Sequence, residues 1–482
     1  MIKKLNSQNV SKEKRPVKIL QFGEGNFLRA FVDWQIDIAN EKGVMNSGVA
    51  VCQPIIDEQK KVLDFIKLFE SQDSMYHVYL EGVENKEPKK EVRLVKSIME
   101  TFNPYDSYET YEKYIKSEEL EIIISNTTEA GIRYVEGDSL TAQPPVSFPA
   151  KITALLYQRF LHFEGSAKAG LAIICCELIE DNGTTLHKYV LQHAKHNNLP
   201  EEFIEWVNTH CSFCDTLVDR IVPGFPRENI DEIKSEIGFD DNLVVKGELY
   251  HLWAIGGAGY ERVRELLPLD KAGLHVLFMP SIKSFRDKKV RILNGSHTGM
   301  VPVALQMGCE TVMDAFENKD IEKFVNDMVA EEVIPMIDED KDELKAFAEG
   351  ILERFYNPFI KHLLASISLN SLSKWEARNY PTVKDNWIKA KKLALRELFS
   401  FAALLTLYSP KSGFEANDTP EFVAFIRENW DSENLEGTVE KIVAHPEMWT
   451  TDFREVEGFV EAVAGYVAAI EQKGMEAALK SL

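Results

Sequence analysis

The chain has 482 residues, of which 45% are hydrophobic and 27% charged, with 77 acidic against 55 basic side chains and a net charge of −22. This composition supports a sizeable core and leaves room for two large domains at about 100–200 residues each. The acidic balance argues against a nucleic-acid or membrane-surface partner, since both present negative charge.

The first fifteen residues are polar and lysine-rich with no apolar run behind them, so they do not form a secretory signal. No stretch approaches the roughly 18 apolar residues of a membrane span. The cysteines, Cys52, Cys175, Cys176, Cys211, Cys214 and Cys309, are too sparse for a secreted scaffold, and a cytoplasmic protein with reduced thiols is expected. Cys211 and Cys214 have the spacing of half a zinc site, but ordinary half-buried thiols are the simpler reading.

In chain order, Val17–Phe22 reads as a strand, followed by a glycine turn and a helix from about Leu28 to Asn40. Gly48–Cys52, Met75–Val83, Glu91–Ile98, Glu121–Ser125 and Leu171–Cys176 read as further strands, with a helix over Ile152–Phe163. Continuous apolar strands alternating with helices predict an α/β domain with a mostly parallel sheet covered on both faces. From about residue 281 the pattern turns helical: Asp340–Phe355, Lys384–Leu407 and Phe453–Ile470 carry apolar residues three and four apart. The boundary is placed there, giving a cofactor domain 1–280 and an all-α domain 281–482.

The turn after the first strand is Phe22-Gly23-Glu24-Gly25-Asn26-Phe27-Leu28-Arg29. Glycines here let backbone N–H groups approach a pyrophosphate at a helix start. The second strand ends at Gln53, where an acid commonly binds the adenosine ribose; the nearest acids, Asp57 and Glu58, come late, so the residues leave NAD and NADP both open. Small polar residues after the Glu121–Ser125 strand, Asn126 and Thr127 with Thr128 and Glu129 behind them, suit a nicotinamide ribose or equally a helix-capping turn.

Lys289, Asn294 and His297 form the most informative set. Counted at about 3.6 residues per turn, all three can face one pocket. A lysine whose pKa is lowered by burial can exchange the proton of a secondary alcohol, an amide can hold the developing alkoxide, and a histidine can orient hydroxyls. Taken alone, such residues are more often solvated or capping groups.

Together, Gly23-Glu-Gly25-Asn-Phe27-Leu-Arg29-Ala30, Val218-Asp219-Arg220-Ile221-Val222-Pro223, Lys289/Asn294/His297, Arg354-Phe-Tyr-Asn357-Pro358 and Ser373-Lys374 resemble the polyol-specific long-chain dehydrogenase/reductase family, also called the mannitol dehydrogenase family. The resemblance implies a modified Rossmann domain and a helical domain with the active site between them. It implies NAD as cofactor, metal-independent hydride transfer, Lys289 as general acid/base, Asn294 as oxyanion donor and His297 as substrate orienter. Phe22, Gly23, Gly25, Asn26, Phe27, Arg29, Gln53, Asn126 and Thr127 would serve the cofactor. Glu177, Asp219, Lys374 and Arg378 would serve the substrate. Mannitol-type members carry a second amide donor where this chain has Leu178, and the Cys176-Glu-Leu-Ile form is similar to the branch that handles hexuronates. The implied partner is a small hexuronate or polyol, with the chain a monomer or weak homo-oligomer. Lys374 and Arg378 are the expected clamp for a substrate carboxylate. A non-catalytic dinucleotide sensor, or a zinc enzyme using Cys211 and Cys214, is the rival reading.

Overall fold

A computed structural model describes residues 2–55, 61–84, 87–127, 131–359 and 361–482. Asp57, Glu58, Thr128 and Glu129 lie outside the described residues. The chain divides into two compact units, Met1–Lys283 and Ser284–Leu482.

The first unit is built on an eight-stranded sheet of β1 (Val17–Phe22), β2 (Gly48–Cys52), β3 (Ile98–Phe102), β4 (Ile122–Ser125), β5 (Ala172–Cys175), β6 (Ser212–Asp219), β7 (Leu252–Gly256) and β8 (Val276–Met279). Their order in space is 3-2-1-4-5-6-7-8. The first six are parallel to their neighbours, β7 is antiparallel to β6, and β8 is parallel to β7. The order reverses direction beside β1, which places a ligand crevice at the carboxyl ends of β1 and β4. The strands read as unbroken apolar runs because both faces are covered. Ile19, Val49, Val51, Ile122 and Ile124 enter one core, while Leu20, Phe22, Ala50, Cys52 and Ile123 enter another.

Two expected strands belong elsewhere. Tyr76–Glu84 and Glu87–Val95 pair with each other antiparallel, and Val245–Gly247 joins the first in parallel, making a separate three-stranded sheet. The main-sheet strand is the shorter Ile98–Phe102 that follows them.

The second unit is helical, and its core is one cluster of its own side chains. Its most buried helix, Leu395–Tyr408, is buried from Glu397 to Tyr408 without a solvent face. The single helix expected over Lys384–Leu407 is broken. Tyr380–Asp385 passes into a wide turn at Asn386–Ala390, and Lys391 adopts a left-handed φ of 51° before the next helix starts at Leu395. Likewise Phe453 and Val456 precede the helix Phe459–Lys473, separated from it by Gly458 at φ 83°. Among the described residues, no helix is long and apolar enough to cross a membrane.

Candidate active site

In the first unit, β1 ends at Phe22, and the glycine turn leads into α1, which runs Asn26–Leu28, widens at Arg29–Asp33 and continues as Trp34–Glu41. Gly23 has φ 115°, and a Cβ there would sit 3.0 Å from the carbonyl oxygen of Asn126, so only glycine fits without strain. Gly25 begins the helix with no side-chain cap, and a Cβ there would meet nothing within 4 Å. The helix start therefore offers uncapped N–H groups beneath open space, which fits a pyrophosphate. The exposed Gly25 and Asn26 form the rim of this turn, and Phe27 stacks on Phe31 at 5.0 Å.

Three of the residues expected at the cofactor or substrate have side chains held within the first unit. Arg29 is buried, and its guanidinium donates to the carbonyl oxygens of Glu24 (3.1 Å) and Leu243 (2.6 Å) and to Asn26 Oδ1 (2.7 Å). It lies over the rings of Phe65, Phe69 and Tyr76, so it ties the turn to the core. The Phe22 ring is fully buried against Tyr111 and Phe148, leaving only its backbone at the crevice. Glu177 is also enclosed. Its carboxylate accepts from Ser125 Oγ (3.1 Å) and from the backbone N–H and Oγ1 of Thr127 (both 2.9 Å). Burial raises its pKa and these donors oppose the rise. Glu177 thus holds the loop after β4 in place. Asn126 Nδ2 adds a bond to the carbonyl of Cys176 at 3.2 Å.

Gln53 is buried at the end of β2, and its side chain donates a hydrogen bond to the Glu24 carboxyl, whose pKa is raised chiefly by burial. Sequence reasoning missed Glu24: the acid at this corner comes from the glycine turn and not from the strand end. Asp219 is half-buried at the end of β6. Arg220 beside it donates to the carbonyls of Ala30, Leu249 and Tyr250 and lies 4.1 Å over Trp34, a structural role. Leu178 is 65% exposed. Burial pushes the Cys211 and Cys214 thiols up to about 11 and about 12, and among the described residues no group of three or more potential ligands could hold a metal ion.

The helix α2 (Lys283–Lys289), which begins at the boundary of the two units, ends on Lys289 in the second. A wide turn of π-helix follows at Val290–Asn294, and α3 (Gly295–Gln306) carries His297. The Gly295 N–H donates to the carbonyl of Val290, five residues back, so the 3.6-residue count does not apply between Lys289 and Asn294. Lys289 and His297 are buried and Asn294 is half-buried. Asn379 steadies the start of α3: its Nδ2 donates to the carbonyl of Gly295 (3.0 Å) and to the buried Glu397 carboxyl (2.7 Å).

The His297 ring stacks on Phe355 at 4.2 Å, with His362 edge-on at 5.3 Å, and its Nε2 is enclosed without a hydrogen-bond partner. Burial, then His362, Arg354, Arg378 and Lys289, hold His297 well below its usual pKa and therefore neutral. Arg378 Nη1 donates to Thr298 Oγ1 at 3.2 Å, and Lys374 Nζ donates to the carbonyl of Ile367 at 3.0 Å. Burial lowers the pKa of both, with Arg378 adding to the effect on Lys374. Sequence reasoning named the Arg354–Pro358 motif without a role for its arginine, and nothing in the pattern marked His362.

A doubly covered parallel sheet with an uncapped glycine turn, in one chain with a helical unit bearing a buried lysine, an amide and a neutral histidine, defines a dinucleotide-dependent dehydrogenase. The mannitol dehydrogenase Rossmann-domain model matches residues 17–266 and the mannitol dehydrogenase C-terminal-domain model matches 281–471. The chain belongs to this family, and it is an NAD-dependent oxidoreductase acting on CH–OH donors. It is 41% identical to the altronate oxidoreductase of Bacillus subtilis over 96% of this chain and 95% of that one, and 40% identical to that of Bacteroides thetaiotaomicron over the full length of both. A substrate-free D-sorbitol dehydrogenase has the same fold, with TM-score 0.82 at 20% identity over 99% of this chain and 100% of that one. Pseudomonas fluorescens mannitol 2-dehydrogenase, solved with NAD and D-mannitol, superposes with TM-score 0.73 at 21% identity over 99% of each.

Proposed function

We propose that the protein reduces D-tagaturonate to D-altronate with NADH, reversibly and without a metal, in hexuronate breakdown in the cytoplasm, as a monomer or weak homo-oligomer. The observation that carries this reading is the buried Lys289, followed by Asn294 at the end of a wide turn and by a neutral His297, in a chain about 40% identical to altronate oxidoreductases over its full length. Bound NADH supplies the hydride to the ketone carbon. Lys289 gives its proton to the ketone oxygen, so that hydride plus proton make the secondary alcohol, and the reverse reaction returns the proton to the lysine. The Asn294 amide donates to the same oxygen as negative charge develops on it. Neutral His297 orients the neighbouring hydroxyls, and Asp219, Lys374 and Arg378 line the rest of the sugar acid. Gly23, Gly25, Asn26, Asn126 and Thr127 serve the cofactor with backbone and amide groups.

The test is an NADH-oxidation screen against tagaturonate, fructuronate and fructose. Tagaturonate should have the highest kcat/KM; a preference for fructuronate or fructose would make the protein a fructuronate reductase or a polyol 2-dehydrogenase. Lys289→Ala should lower kcat by about 100-fold or more while NADH still binds. Near-normal turnover in that variant would remove the lysine from the proton step.

A further inference from the structure

We propose that Asp33, buried beneath the glycine turn, is a positioning residue for the dinucleotide: as a neutral carboxylic acid it holds, through Gln21, a peptide of the turn that receives the pyrophosphate, and its ionisation repels that anion. This rests on the reading of the glycine turn as the cofactor's phosphate seat and is independent of which sugar is reduced. Three observations within the first unit support it.

The first is place. Gln21 lies on β1 two residues before Gly23, and Asp33 closes the wide turn of α1; both side chains are fully buried. Gln21 Nε2 uses both of its hydrogens. One goes to the carbonyl oxygen of Gly23 at 3.0 Å and the other to Asp33 Oδ2 at 3.2 Å. The Gly23 carbonyl shares a planar peptide with the Glu24 N–H, so the Gln21–Asp33 pair fixes the plane in which that N–H lies.

The second is the state of the pair. Its other two oxygens, Gln21 Oε1 and Asp33 Oδ1, are enclosed without a hydrogen-bond partner. The Tyr76 hydroxyl faces Asp33 but gives its proton to the carbonyl of Arg29 at 2.9 Å. An ionised carboxylate with so few donors in the interior is costly. A carboxylic acid and a primary amide, by contrast, satisfy each other with one N–H···O and one O–H···O bond. Here the N–H bond is in place, and Gln21 has an acceptor to spare. Burial pushes Asp33 up to about 7; Gln21, Arg29 and Tyr76 oppose the rise and Asp37 adds to it.

The third is charge. A pyrophosphate seated at the start of α1 brings negative charge close to this carboxyl. Like charges at short range in a buried place repel, so the anion favours the protonated acid and an ionised Asp33 disfavours the anion. Affinity for NADH is therefore full below about pH 7 and falls as the pH rises through it, with proton uptake on binding in that range.

The experiment measures NADH dissociation constants of the full chain by fluorescence titration at about pH 6 and about pH 8.5, proton uptake on binding by calorimetry in two buffers at about pH 7.5, and thermal midpoints. Wild type should bind NADH about fivefold or more weakly at the higher pH and take up protons on binding. Asp33→Asn keeps the acceptor for Gln21 and carries no charge, so it should match the wild-type constant at the lower pH and lose both the pH dependence and the uptake. Gln21→Leu should weaken NADH binding about tenfold at both pH values, in the KM for NADH and not in kcat. A wild-type constant that is flat between the two pH values, an Asp33→Asn variant with the wild-type pH ratio, or Gln21→Leu within twofold of wild type would overturn the assignment. Gly25→Asp separates the underlying reading, because a Cβ at this rim position meets nothing within 4 Å. It should bind NADH far more weakly than wild type; unchanged affinity would mean that the turn is not the phosphate seat, and would overturn that reading and this inference with it.

Discussion

Glu24 brings a carboxyl from the glycine turn to the end of β2, where it accepts from Gln53. Facing the adenosine ribose of a bound dinucleotide, a carboxylate at this position would accept ribose hydroxyls and repel a 2′-phosphate. Glu24→Gln should therefore raise the NADPH-to-NADH ratio of kcat/KM by about tenfold or more, with a matching gain in NADPH affinity by fluorescence titration. An unchanged ratio would move cofactor selection elsewhere. The Lys289, Asn294 and His297 spacing and the glycine turn were legible because they are local in sequence. The fates of Arg29 and Glu177 were not. A guanidinium meets a phosphate, or two backbone oxygens and an amide oxygen, with the same donors, and only the fold shows that Leu243, 214 residues away, claims it.

At the scale of elements, apolar runs identified β1, β2, β4 and β5 of the main sheet but not β7, which is buried throughout as Leu252–Gly256. The strand Ser212–Asp219 escaped notice because it carries Asp215 and Thr216, which are used within the unit. Asp215 accepts from the backbone N–H and Oγ1 of Thr184, both at 2.8 Å. The wide turn at Val290–Asn294 escaped because a template of 3.6 residues per turn has no place for an extra residue. That residue sets the register between Lys289 and Asn294. Deleting Val290 should close the turn into regular α-helix, leave α3 packed where Gly299 meets Met328, and turn Lys289 about 100° relative to Asn294. Turnover should fall by about 100-fold or more while NADH binding and the circular-dichroism signal of helix persist. A deletion variant with wild-type turnover would show that the wide turn does not place the lysine.

At the scale of the molecule, buried titratable groups pull stability in two directions. Histidines 187, 193, 251, 275, 297 and 362 are all lowered, chiefly by burial. Glu24, Asp33, Asp37, Glu177, Glu332 and Glu397 are all raised, chiefly by burial. For the histidines the unfolded chain binds more protons below about pH 6.5, so their contribution is present above that pH and is lost on acidification. The raised carboxyls have the opposite sign. His251, lowered to about 3 by burial and by Arg220, isolates the first effect. Between pH 7.5 and 5, wild type should lose about 2 kcal/mol more stability than His251→Gln, read from denaturant midpoints at the two pH values. Parallel profiles would mean that His251 titrates alike folded and unfolded.

The division at Lys283 and Ser284 has a further consequence. Each unit is one uninterrupted stretch of chain, so a single recombination event between genes exchanges a whole unit. Descent within such a family need not be a tree of whole genes. The history of the sheet unit and that of the helical unit can then differ within one polypeptide.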